Sequence, residues 1–196
     1  PVLTPNPFAI GYPGTQSPVL VDICASITTV SMARTKAAAG VQFEHPWLMD
    51  NSGHPTTEPR VLEQTSPRGS LMLLGGTEYG HKGFGLALMV EALTQGLSGH
   101  GRIDAPNRWG ANVFLQVMDP DAFAGRDHFL TQMDFIGAAC RDSTPVAEGG
   151  LVRLPGDQAS GNILRAMQQG IALSEATLAQ LAASADRLGV APLEQA

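Results

Sequence analysis

Gly75-Gly-Thr-Glu-Tyr-Gly-His-Lys-Gly-Phe-Gly-Leu-Ala-Leu-Met-Val-Glu91 decides how the rest of this chain is read. Five glycines frame Lys82, one of only two lysines in the protein, the other being Lys36. Beyond them Leu86, Met89, Val90, Leu93 and Leu97 recur at the three- and four-residue spacing of a helix with one buried face. The pattern predicts a glycine-rich loop that runs into a helix beginning near Leu86. Such a junction offers free backbone N–H groups at the positive end of the helix dipole, an arrangement that suits phosphate. On chemistry alone a second reading stands beside it, a glycine loop with a solvated lysine ahead of a core helix. The stretch is not a Walker A loop: His81 separates Gly80 from Lys82, and Gly83 follows where Ser or Thr is required. Nor do its glycines have the spacing of the Rossmann dinucleotide fingerprint.

Composition bounds the remainder. At 196 residues the chain is long enough to bury a core, as one large domain or two small ones. Hydrophobic residues at 43% and charged residues at 15% mark an ordinary globular sequence. A net charge of −6 without a Lys/Arg cluster argues against a nucleic-acid partner. No apolar run approaches the roughly 18 residues that suggest a membrane span. Cys24 and Cys140 are too few for a disulfide scaffold, which favours a reducing cytoplasm. No His, Cys, Asp or Glu set stands at metal spacing, so no metal is expected.

Outward from the glycine stretch, Val19–Ile23 reads as a short apolar strand interrupted by Asp22. A carboxylate buried there would need a partner: a backbone donor, a histidine or a cofactor hydroxyl. Ser26–Ala39, ended by Gly40, is predicted to be a helix of small residues. Residues 43–67, rich in Pro, Gly, Asn, Thr and Ser, read as a long loop with His45 and His54 at the surface. Leu71–Leu74, Val113–Met118 and Leu151–Leu154 are predicted strands, and Gly99–Asn112 an exposed irregular stretch with Arg102, Arg108 and Trp109. Asp119-Pro120 is a helix start, and Phe129, Met133, Ile136 and Cys140 repeat at helical spacing. Near the end Ser174 is expected to cap a helix carrying Leu178, Leu181, Ala185 and Leu188, with Gly189 stopping it. No linker convincingly divides the chain.

Gly80-His-Lys-Gly-Phe-Gly-Leu-Ala-Leu-Met-Val-Glu91 resembles the signature of the malate/L-lactate dehydrogenase family of the non-Rossmann type. Four further stretches match in the same order: Thr4–Ile10, Val19–Ser26, Asp50–Pro59 and Leu154–Asp157. The family includes ureidoglycolate, sulfolactate and diketogulonate oxidoreductases and cyclic imino acid reductases. The resemblance implies an α/β fold with a mixed sheet flanked by helices and a non-Rossmann NAD(P) site. It also implies a homodimer, a small 2-hydroxy or 2-oxo acid substrate, and hydride transfer with a nicotinamide cofactor, NAD or NADP. The alternative within the family is reduction of a cyclic imino acid such as pyrroline- or piperideine-2-carboxylate. A non-catalytic nucleotide-binding or dimerisation module is the alternative outside it.

Carried over residue by residue, the resemblance assigns the cofactor to Asp22, Ile23 and Cys24, to His81 and Lys82, and to Gly156, Asp157 and Gln158. Thr4 and Asn6 become candidates for the substrate side. Each has a plainer alternative: a helix cap for Asp22, a turn-shaping role for His81, a polar turn for 156–158, and an extended entry strand for 1–13. Thr77–Gly80 lengthens the glycine loop relative to many members, which leaves Glu78 and Tyr79 without an assigned role. The family motif resembling Thr4–Ile10 lies well inside the polypeptide. The region that carries the catalytic histidine and a carboxylate-binding arginine is therefore expected to be absent here, leaving a cofactor-binding portion.

Overall fold

The computed structural model describes residues 2–3, 5–108 and 110–193. Thr4 and Trp109 lie outside them. The chain forms two compact units, Pro1–Pro155 and Gly156–Ala196. No Pro- or Ser-rich linker announces the division; it falls at Gly156, a turn glycine at φ 101°.

The first unit opens with a hairpin. Strand β1 (Pro7–Tyr12) pairs antiparallel with β2 (Val19–Cys24), in a register that sets Ala9 opposite Asp22 and Pro7 opposite Cys24. This ribbon has two strands, and Asp22 and Ile23, whose side chains point to its opposite faces, are both exposed. The expected buried carboxylate is thereby corrected: Asp22 needs no partner to offset desolvation.

Helix α1 (Val30–Ala39) starts four residues later than Ser26 because the residues before it are bonded elsewhere. Ser26 bridges to Leu73, its hydroxyl donates to the Thr28 carbonyl, and the Ile27 N–H donates to Met72 O at 2.9 Å. Thr29 is the cap, its Oγ1 accepting from Met32 N at 3.1 Å. Gly40, at φ 67°, ends the helix as expected.

The core lies where a loop was expected. Strands β3 (Leu48–Met49), β4 (Pro55–Thr56) and β5 (Ser70–Leu71) form a small antiparallel sheet in the order β4-β3-β5. Leu48, fully buried, packs with Phe43, Val61, Leu62 and Ala33 of α1. A 3₁₀ turn at Pro59–Leu62 supplies two of these side chains. Burying a Leu or Phe stabilises by about 1.5–3 kcal/mol, so residues 43–62 anchor the unit.

Helix α2 (Gly76–Glu91) corrects the organising loop: every framing glycine but Gly75, its N-cap, is inside the helix, which starts ten residues before Leu86. Its buried face is Gly83, Ala87 and Val90, whereas Met89 and Leu97 are exposed. The chain continues as a π-helical turn at Ala92–Gly96. Val113–Met118 and Leu151–Leu154 form no strand, and Val113, Leu115 and Val117 are exposed. Asp119-Pro120 opens a short 3₁₀ turn, and the expected helix, α3 (Arg126–Arg141), follows Gly125. Its buried residue is Gly137; Ile136 and Cys140 of the expected core stripe are exposed.

In the second unit α4 (Asp157–Gln169) is followed by α5 (Glu175–Leu188). Ser174 Oγ accepts from Thr177 N at 3.2 Å and Gly189 closes α5 at φ 64°, both as expected. The α/β class holds, with the described strands divided between two small antiparallel sheets. Among the described residues no helix is long and apolar enough to cross a membrane.

Candidate active site

Two of the expected cofactor segments meet through the backbone of Leu74. Leu74 N–H donates to Ala25 O at 2.8 Å, and Leu74 O accepts from Gly83 N at 3.0 Å. Ala25 directly follows Cys24, and Gly83 directly follows Lys82. The hairpin end Asp22–Cys24 and the His81–Lys82 turn of α2 are therefore tied to one turn residue. Only glycine permits this approach: a Cβ at Gly83 would lie 2.4 Å from Leu74 N and 2.7 Å from Ala25 O.

Around that junction Asp22, Ile23, His81 and Lys82 are exposed, and Cys24 is half-buried. The Cys24 thiol donates to Ser26 O at 3.5 Å, which fits a packing role and not a nucleophile. Lys82 joins no ion pair among the described residues; its Nζ rests over the Tyr79 ring at 5.1 Å from the centroid. Tyr79, unassigned from sequence, thus has a contact with the lysine. It also marks the kink of α2, at φ −121° and ψ 20°. The turn before it depends on Gly75, at φ 99°, where a Cβ would meet Tyr79 O at 2.1 Å. His81 stands edge-on to Tyr79, with ring centroids 6.4 Å apart.

Asn6 is built into the same framework. Buried, and in the left-handed region at φ 48°, it follows Pro5, whose carbonyl accepts from Ala25 N at 2.8 Å. Its Nδ2 donates to Glu91 Oε1 at 2.8 Å and to Ala87 O at 3.4 Å, both on α2. With the amide oriented by its donors, Oδ1 is buried without a hydrogen-bond partner among the described residues. Glu91 also accepts from the Arg102 guanidinium. That bond, aided by Asn6 and opposed by partial burial, holds the Glu91 carboxyl below the usual glutamate range.

This network was not legible in sequence. Glu91 read as a charge at a helix edge and Arg102 as part of a loop, and neither periodicity nor spacing links them to Asn6. Gly156, Asp157 and Gln158 belong to the second unit, where Gly156 precedes α4 and Asp157 and Gln158 form its first turn. No cluster of three or more His, Cys, Asp or Glu side chains able to hold a metal occurs among the described residues.

Residues 1–182 match the family model described as malate/L-lactate dehydrogenase. The chain belongs to that family. It is 30% identical over 198 residues to an L-sulfolactate dehydrogenase of Methanothermobacter thermautotrophicus, covering 97% of this chain and 54% of that protein. It is 32% identical over 191 residues to a Delta(1)-pyrroline-2-carboxylate/Delta(1)-piperideine-2-carboxylate reductase of Pseudomonas syringae pv. tomato, covering 92% and 51%. Its fold is similar to the crystal structure of malate dehydrogenase from Entamoeba histolytica, with a TM-score of 0.80 at 20% identity over 96% of this chain and 56% of that one. This malate/L-lactate dehydrogenase family chain spans about half the length of the curated relatives it matches.

Proposed function

We propose that this chain is the dinucleotide-binding portion of a nicotinamide-dependent oxidoreductase acting on small 2-hydroxy or 2-oxo acids. The observation that carries the reading is the Ala25–Leu74–Gly83 lock, which fixes the Asp22–Cys24 segment and Lys82 at one junction with their polar side chains exposed. The donor set fits a dinucleotide. Lys82, with no carboxylate paired to it among the described residues, offers charge-assisted hydrogen bonds to a phosphate or ribose oxygen, and the exposed Asp22 carboxylate can accept from ribose hydroxyls. His81 adds a second donor on the same exposed turn, and Ile23 and Cys24 supply the adjoining backbone. In the second unit, taken by itself, Gly156, Asp157 and Gln158 stand at the start of α4, whose N-terminus offers backbone N–H groups suited to an anion such as a dinucleotide phosphate.

When bound, the nicotinamide supplies or accepts the hydride. The residues of this chain bind and orient. Asn6, fixed by Glu91, holds the entry segment against α2 on the substrate side, with Thr4 two residues before it. None of the five histidines is assigned as proton donor. The assembly that the family resemblance supports is a homodimer. Reduction of a cyclic imino acid is the second reading, favoured by the 32% identity to a reductase of that class.

The test is a fluorescence titration of the chain with NADH and, separately, NADPH, beside Lys82→Ala and Asp22→Asn. Saturable binding that weakens about tenfold in Lys82→Ala is expected for a lost charge-assisted contact. Equal binding by wild type and both variants would remove these residues from the site, and the nucleotide bound more tightly identifies the cofactor.

A further inference from the structure

A cavity of about 400 Å³ opens between α1 and the turn that follows the 3₁₀ segment at Pro59–Leu62. Its floor is apolar: Val30 of α1 and the buried Pro59 and Leu62. Arg34 and Arg68 both line it, from segments 34 residues apart in sequence, together with Thr65. Neither arginine joins an ion pair among the described residues.

Arg68 is held ready. Its Nε donates to Leu62 O at 2.7 Å, which orients the guanidinium and leaves its terminal nitrogens to donate elsewhere. The next residue, Gly69, is buried and bonded through its N–H to Val61 O at 3.0 Å, and a Cβ there would lie 2.8 Å from Met49 O. The chain bearing Arg68 is thus clamped to the core sheet. Arg34 stands one helical turn after Val30, on the face of α1 that looks into the cavity. A single carboxylate, Glu63, shares the rim and leaves the lining with a net charge of +1.

We propose that this cavity is a binding site for a phosphate group, held by Arg34 and Arg68 with the Thr65 hydroxyl as a further donor. Two arginines lining one cavity match the several acceptor oxygens of a phosphate dianion, which a lone surface arginine cannot saturate. The apolar floor gives room for an organic body attached to that phosphate. Glu63 opposes any anion, so its removal is a signature that packing alone would not produce.

The experiment titrates the isotope-labelled full chain with inorganic phosphate and, in a second arm, with adenosine 2′-phosphate, following backbone amide shifts. It requires no dinucleotide binding at Lys82, so its outcome is independent of the proposed function. Saturable shifts at residues 30–34 and 62–69 are expected. Arg34→Ala, on an exposed helix face, and Arg68→Lys should each weaken binding about tenfold, and Glu63→Gln should tighten it about threefold. Tighter binding of the adenosine ester would assign the site to a nucleotide phosphate; equal binding would assign it to free phosphate. Absence of saturable shifts in both arms, or affinities unchanged in all three variants, would overturn the proposal.

Discussion

Replacing Glu91 with alanine tests the framework that joins the entry segment to α2. The side chain is 13% exposed and receives hydrogen bonds from Asn6 and Arg102. Removing it leaves Asn6 Nδ2 with only the 3.4 Å contact to Ala87 O, in a residue 7% exposed. A buried donor left unsatisfied costs about 1–3 kcal/mol. Arg102, at 45% exposure, rehydrates when its partner is lost and adds about 0–1 kcal/mol at most. The expected destabilisation is therefore about 1–3 kcal/mol, and each kcal/mol lowers Tm by about 2–4 °C in a chain of this size. The effect depends on pH. Because the Glu91 carboxyl is held below its ordinary 4.5, the stabilisation from its ionised form is present above that value and lost as pH falls through the lower folded one. Thermal unfolding followed by circular dichroism at neutral pH and again below pH 4.5 should show the wild-type advantage shrinking on acidification. An unchanged Tm at neutral pH, or a difference constant across that range, would refute the argument that Glu91 is the ionised anchor of Asn6.

Gly83→Ala should destabilise by about 1–3 kcal/mol in chemical denaturation, since the added methyl meets two backbone atoms that cannot rotate away. Leu48→Ala should cost about 2–5 kcal/mol by the same measurement, placing the core in the 43–62 region; a change below 1 kcal/mol would move it elsewhere. Thr29→Ala should cost about 1 kcal/mol and speed amide exchange at Met32, the N–H that Thr29 caps.

How much was readable beforehand follows from the kind of signal each feature carries. Helix ends with local chemistry were legible: Gly40 after α1 and Ser174 and Gly189 around α5 all act within a few residues, whereas the 3.6-residue pattern gave α3 as a helix but not its buried face. The core between Phe43 and Leu62 was not, because its apolar residues come from a turn, a two-residue strand and a 3₁₀ segment that share no period. The glycines of α2 misled for a different reason. Glycine disfavours a helix interior, yet Gly83 is there because Ala25 and Leu74 press against it, a tertiary demand that outweighs propensity. Asp22 was read as buried from its apolar neighbours, but at this end of the two-stranded ribbon both faces meet water, as the exposure of Asp22 and Ile23 shows. Val113–Met118 has the composition of a strand and forms none, since pairing and not composition makes a strand. The residues proposed for the site stand in motifs that a sequence displays; the Leu74 lock and the Asn6–Glu91–Arg102 network, spanning 85 residues between Asn6 and Glu91, have no such local signal.

The measurement that reaches the central claim most directly is hydrogen–deuterium exchange of the chain with and without a saturating reduced nicotinamide dinucleotide. Protection is expected at residues 22–25, 74 and 81–83, the two segments and the residue that locks them, with the same protection weakened in Lys82→Ala. Protection confined to other segments, or exchange at these residues unchanged by the dinucleotide, would contradict the placement of the cofactor at this junction.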